Sequence, residues 1–150
     1  MLPLDGIRIL DLSTVVLGPY ASQILAEYGA DVIKIEAPEG DSTRRTGPST
    51  EAGMGAIFLG VNRGKRSLTL DLRKPEAVEV FLELARTADA VVEAMRPGAL
   101  ERRGLGYDRL REVNPAIVFI TISGYGMTGP YREMPSHGIA FDTWAGLVPT

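Results

Sequence analysis

The side chains best organised for chemistry are basic. Arg44-Arg45, Lys65-Arg66, Arg73-Lys74, Arg96 and Arg102-Arg103 recur along the chain, and the fixed fork of donors on a guanidinium matches the oxygens of a phosphate. A multiply phosphorylated ligand would account for the set. A solvated cationic surface accounts for any single pair, because 16 basic residues must lie somewhere. His137 is the single histidine, in a Pro-Ser-His-Gly segment. An imidazole with an ordinary pKa of about 6.5 exchanges protons near neutrality, yet a loop histidine without a chemical role fits the same position. Asp142 follows at i+5, which does not set both side chains on one helical face, so no His–Asp pair is inferred. Asp11 and Glu93 lie within or at the end of apolar runs. Each could act as acid or base, or bond loop amides as a structural carboxylate.

Other chemistries are excluded by what is missing from the 150 residues. There is no cysteine, hence no disulfide, thiolate metal site or cysteine nucleophile, and one histidine is too few for a His-rich metal site. No Gly-x-Ser-x-Gly elbow, P-loop or His-Glu-x-x-His occurs. Glu36 stands where a ribose-binding acid would, but Ser13-Thr14-Val15-Val16-Leu17-Gly18 has one glycine where a dinucleotide loop needs three. The net charge of −3 argues against general nucleic-acid binding. No run approaches the roughly 18–20 apolar residues of a membrane helix, and the amino terminus lacks a signal pattern. A reduced, cytoplasmic setting is the expectation.

These residues need elements to position them. Residues 6–12 (Gly-Ile-Arg-Ile-Leu-Asp-Leu) read as a buried strand ending in a Ser13-Thr14 turn. Gly18-Pro19 opens a helix with Ala21, Ile24, Leu25 and Tyr28 at helical spacing, and Gly29 ends it. A second strand covers 31–35, and 39–60 is a polar, Gly-rich loop too long for a passive connection. A strand at 67–72 precedes a helix from Pro75, whose buried side is marked by Val78, Val80, Phe81, Leu84 and Ala85. Strands at 90–93 and 116–122 flank a short helix at 107–113, then a loop at 123–135 leads to a helix at 139–147. Strand and helix alternate, which implies one domain built on a parallel α/β sheet. Ligands of such sheets bind beyond the carboxyl ends of the strands, where the basic residues gather. With no terminating strand, the chain is expected to be part of a longer one.

Six blocks then matter through their order: Gly-Ile-Arg-Ile-Leu-Asp-Leu-Ser, Gly-Pro-Tyr-Ala, Tyr-Gly-Ala-Asp-Val-Ile-Lys-Ile-Glu-Ala-Pro-Glu-Gly-Asp, Asn-Arg-Gly-Lys-Arg-Ser-Leu-Thr-Leu-Asp-Leu, Arg-Pro-Gly-Ala-Leu-Glu-Arg-Arg-Gly-Leu-Gly-Tyr and Ser-Gly-Tyr-Gly-Met-Thr-Gly-Pro-Tyr. The set resembles the class III coenzyme A transferases of CaiB/BaiF type, a family that includes formyl-CoA transferase, carnitine CoA-transferases and α-methylacyl-CoA racemases. The resemblance implies the amino-terminal portion of a Rossmann-like large domain, with flanking helices, in an interlinked homodimer. It also implies that coenzyme A or an acyl-CoA is bound as substrate, without a covalently held cofactor or a metal.

Carried over by position, the CoA contacts would be Val15, Val16, Leu17, Ala37, Leu70, Asp71, Leu72, Arg73, Ala94, Met95, Arg96 and Arg102. Formyl-CoA transferases have arginine in place of Ala37 and glutamine in place of Val16, which counts against a formyl or oxalate substrate. In the transferases an aspartate attacks the thioester and CoA passes to a carboxylic acid acceptor. That aspartate would fall beyond Thr150. In the racemases a histidine and an aspartate exchange the α-proton, and His137 matches the histidine, although Gly138 replaces the aspartate that follows it. The resemblance thus implies CoA transfer, with racemisation through His137 or a non-catalytic CoA-binding module as alternatives.

Overall fold

The computed structural model describes residues 1–135 and 138–147. Short runs rich in Val, Ile and Leu form β1 (Arg8–Asp11), β2 (Asp31–Glu36), β4 (Ala90–Glu93) and β5 (Val118–Thr121), and the more polar Arg-Ser-Leu-Thr forms β3 (Arg66–Thr69). They pair in the order β3-β2-β1-β4-β5 with every pairing parallel. Leu10 registers with Ile33 on one side and Val91 on the other. The chain therefore winds outward from β1 through β2 to β3, returns to β4, and winds outward again to β5. Between β1 and β4 the direction of winding reverses, and the connections diverge above the carboxyl ends to leave a crevice.

Alternation along each strand builds two cores, one on each face of the sheet. Leu10, Ile33 and Val91 pack with Phe81, Leu82 and Ala85 of α3 (Pro75–Ala85) and Leu110 of α4 (Tyr107–Val113). Ile9, Val32 and Val92 point the other way, where Leu25 and Ala26 of α1 (Leu17–Glu27) meet them. Phe81 is fully buried, a stabilisation of roughly 1.5–3 kcal/mol from apolar burial alone. Pro75 starts α3, where its fixed φ and missing N–H carry no cost. Among the described residues no helix is long and apolar enough to cross a membrane.

Several sequence expectations are corrected. In α3 the inward positions are Phe81, Leu82 and Ala85, with Val78 half-buried, while Val80 faces solvent. The face that repeats at three and four residues therefore runs through Val78 rather than Val80. In α1 the buried residues are Gly18, Pro19, Ser22 and Gln23, and the expected stripe is largely turned outward, with Ala21, Ile24 and Tyr28 exposed. A buried carboxylate beneath this helix, described below, selects a polar face. The long loop at 39–60 holds a 3-10 turn (Ser42–Arg45) and a short helix, α2 (Ala56–Val61). The strand expected at 67–72 ends at Thr69, leaving Leu70, Asp71, Leu72 and Arg73 in the connection to α3. The strand expected at 116–122 is confined to Val118–Thr121. The last helix, α5, is Gly138–Trp144.

Candidate functional site

The carboxyl ends of β1, β2, β3 and β4 deliver their following residues to one edge. A groove of about 570 Å³ is lined by Thr14, Arg73, Ala94, Met95, Arg96, Ala99, Arg102 and Arg103. Beside it lies a depression of about 200 Å³ that includes Ala37, Leu70, Asp71 and Leu72 and shares Arg73, Met95 and Arg103 with the groove. The two form a continuous trough. It gathers nine of the positions singled out in the sequence, from Ala37 through Arg102. Val15, Val16 and Leu17 do not line it; they stand exposed on the turn that follows Thr14. His137 lies outside the described residues.

The four arginines of the trough differ in commitment. Arg73 is bound by Asp71 at 2.6 Å and by Glu39 at 3.1 Å. Arg103 donates to the Ala99 carbonyl at 2.7 Å. Among the described residues, neither Arg96 nor Arg102 has an ion-pair partner, so two guanidinium groups have all their side-chain donors available to a ligand. Ala94, Met95 and Arg96 also form one wall of a second depression, about 710 Å³, closed by 122–125, 132–135 and Ile139–Phe141. Tyr125 packs against Tyr131, Phe141 and Trp144 there. Trough and depression meet along the loop after β4, an arrangement suited to an elongated ligand with a charged end and a less polar end.

Beneath the trough runs a layer of buried charge. Asp11 is fully buried and accepts from Lys65 at 2.9 Å, from the Ser22 hydroxyl at 2.6 Å, and from the Ser13 N–H at 2.9 Å. Burial opposes its ionisation, but the Lys65 ammonium and the Ser13 and Ser22 hydroxyls outweigh this and hold its carboxyl below the usual range. Every strong donor near Asp11 is already engaged, so it anchors α1 and the turn. Glu36 likewise does not wait for a ribose: Arg44 grips it at 2.6 and 2.7 Å, with Asp41 N–H and Ser67 adding bonds at 3.0 Å. Glu93 differs. It accepts the Met95 N–H at 2.7 Å, and burial pushes its carboxyl above the ordinary glutamate value.

Sequence reasoning passed over Lys34 and Asp41 as functional candidates, and took Lys65 for a ligand-facing cation rather than the buried partner of Asp11. Lys34 did carry a signal, as a charge inside the apolar run Asp-Val-Ile-Lys-Ile of a central strand, where burial is the rule. Asp41 sits in a polar stretch and carried none.

Fold and site together define a class: a Rossmann-like parallel α/β protein with a cationic trough at its topological switch point. The chain belongs to CoA-transferase family III, whose model matches residues 4–150. It is 47% identical over 135 residues to the beta subunit of the succinyl-CoA–L-malate CoA-transferase of Chloroflexus aurantiacus, covering 89% of this chain and 33% of that one. The succinate–glutarate CoA-transferase of Agrobacterium fabrum is 42% identical over 153 residues, covering 97% and 38%. A crystal structure of a CaiB/BaiF family protein from Brucella suis superposes with a TM-score of 0.92 at 40% identity, covering 97% of this chain and 39% of that one. The chain thus spans little more than a third of the length of the curated relatives it matches.

Proposed function

We propose that the protein is a CoA-transferase that moves coenzyme A from an acyl-CoA thioester to a carboxylic acid, and that this chain supplies its CoA-binding portion. The observation that carries the reading is the trough at the switch point, with Arg96 and Arg102 unpaired among the described residues and Arg73 and Arg103 beside them. CoA is an anion with a diphosphate, a 3′-phosphate and an adenine. Guanidinium groups bind such phosphates through paired N–H donors and can stack on a purine face. The names of the relatives, which include transferases of succinyl-CoA with malate and with glutarate, support a dicarboxylic exchange.

In the reaction we infer, a carboxylate of the enzyme attacks the thioester carbonyl and expels CoA thiolate, leaving a mixed anhydride. The thiolate then attacks the enzyme's acyl carbon, releasing the first carboxylic acid and forming an enzyme–CoA thioester. A second carboxylate reverses both steps and leaves as the new acyl-CoA. The aspartate that the family resemblance assigns to this role falls outside residues 1–150, so this chain's part is to fix the CoA. Preorganised binding of that kind lowers the barrier by removing translational freedom before the chemistry. The protein is further read as cytoplasmic and as one half of an interlinked homodimer.

The test is made on the full-length protein. It is mixed with succinyl-CoA and followed by intact mass, while an α-methylacyl-CoA is followed by NMR for α-proton exchange in deuterated water. A covalent CoA or acyl adduct without exchange supports transfer. Exchange without an adduct, abolished in His137→Ala, would replace the reading with racemisation. CoA binding with neither would make the protein a non-catalytic module.

A further inference from the structure

The turn after β1 is built unlike the other turns of the molecule. Among the described residues Val15 is the sole non-glycine with positive φ, at 71°. A β-branched residue is disfavoured there because Cβ crowds the backbone, and such a conformation persists only when its surroundings impose it. The imposing groups are two buried charges. Lys34 and Asp41 pair at 3.1 Å with side chains 1% and 0% exposed. The Lys34 ammonium donates to the Ser13 carbonyl at 2.9 Å, and the Asp41 carboxylate accepts the Val15 N–H at 3.2 and 3.3 Å.

One ion pair therefore grips the turn twice, at a carbonyl and at an N–H two residues on. It is itself tied down. Asp41 accepts from the N–H and hydroxyl of Thr43 at 3.0 and 2.7 Å, and its own N–H bonds Glu36 at 3.0 Å. A buried ion pair is weak as a source of stability, because desolvation of both charges offsets their attraction. Its specific product here is the shape of the turn. Thr14, which lines the arginine trough, lies between the two gripped residues, so the backbone fixed at Ser13 and Val15 determines how Thr14 is presented there.

We propose that the buried Lys34–Asp41 pair is a positioning device for the bound acyl-CoA: it holds Val15 in a left-handed conformation and so fixes the Ser13–Val15 turn, whose Thr14 lines the trough. This rests on the reading of the trough as a CoA site. Neither Lys34 nor Asp41 touches substrate. Both act through Val15.

The experiment compares wild type, Val15→Pro, Val15→Gly, Asp41→Asn and the Val15→Gly/Asp41→Asn double variant of the full-length protein, each titrated with CoA by calorimetry and melted thermally. Proline cannot adopt a positive φ and lacks the N–H that bonds Asp41, so Val15→Pro weakens CoA binding by about tenfold or more and also lowers the melting temperature. Glycine reaches the same φ without crowding and keeps the N–H, so Val15→Gly binds CoA about threefold or more tighter than Val15→Pro. Asp41→Asn loses both affinity and thermal stability, and adding Val15→Gly restores affinity without restoring stability. A residue important only for folding would not give that split. The proposal is overturned if Val15→Pro binds CoA as wild type does, or if Val15→Gly fails to rescue a folded Asp41→Asn. Should Asp41→Asn not fold, the contrast between Val15→Pro and Val15→Gly decides. Wild type that does not bind CoA overturns the trough reading and this proposal together, whereas tight wild-type binding with an indifferent Val15→Pro overturns this proposal alone.

Discussion

Lys65 and Asp11 illustrate what a buried charge does once its partner is removed. Their side chains are 2% and 0% exposed, so Lys65→Met strands an ionised carboxylate and costs about 3–5 kcal/mol in urea unfolding at neutral pH. Because Asp11 is held below its ordinary value in the folded protein, its contribution is complete above its unfolded pKa of about 3.9 and is lost as pH falls through the folded value. The deficit of Lys65→Met should narrow as pH falls, starting above the ordinary aspartate value, because burial without Lys65 favours the protonated carboxyl. Glu93 has the opposite sign. Burial raises its folded pKa, so the folded state holds its proton more tightly than the unfolded one and stability falls as pH rises through that interval. Glu93→Gln, which keeps an acceptor for Met95, should melt higher than wild type at pH 7 and show no gain at pH 3.5. Equal melting temperatures at pH 7 would show that the buried charge carries no penalty.

The elements place these residues through close backbone approach. A Cβ added at Gly18 would overlap Ser13 Cβ and lie 2.5 Å from its hydroxyl, so Gly18→Ala must push α1 away from the β1 turn, at about 1–3 kcal/mol. Gly60, in α2, has open space around it. Gly60→Ala should stabilise by roughly 0.5–1 kcal/mol through helix propensity alone. Chemical denaturation of the two variants separates packing from propensity; similar effects from both would contradict the close approach at Gly18. The order and type of the main elements were legible because apolar runs, Pro75 and the Gly18-Pro19 and Gly29 signals agree with one another. The inward face of α1 was not. Its Ser22 and Gln23 are chosen by Asp11 and by the Arg63 N–H, partners 11 and 40 residues away, and no local period encodes them. The same holds for α2, six residues long and set in a glycine-rich stretch.

At the scale of the whole molecule, the strand order turns scattered basic residues into one site. Arg73 follows β3 and Arg96 and Arg102 follow β4, on opposite sides of β1 and β2, yet the groove brings them together. The sequence shows that cations follow strands, and the family resemblance supplies their ligand. It does not show which arginines are already spent on Asp71 or Ala99 and which remain available. That distinction needs the folded chain, and it makes Arg96 and Arg102 the decisive pair. The most direct measurement is the dissociation constant of CoA for the full-length protein, wild type against Arg96→Ala/Arg102→Ala, at low and high salt. The expected result is a loss of about a hundredfold or more in the double variant, with a shallower salt dependence and an unchanged melting temperature. Unchanged affinity in a folded double variant would contradict the placement of CoA in this trough.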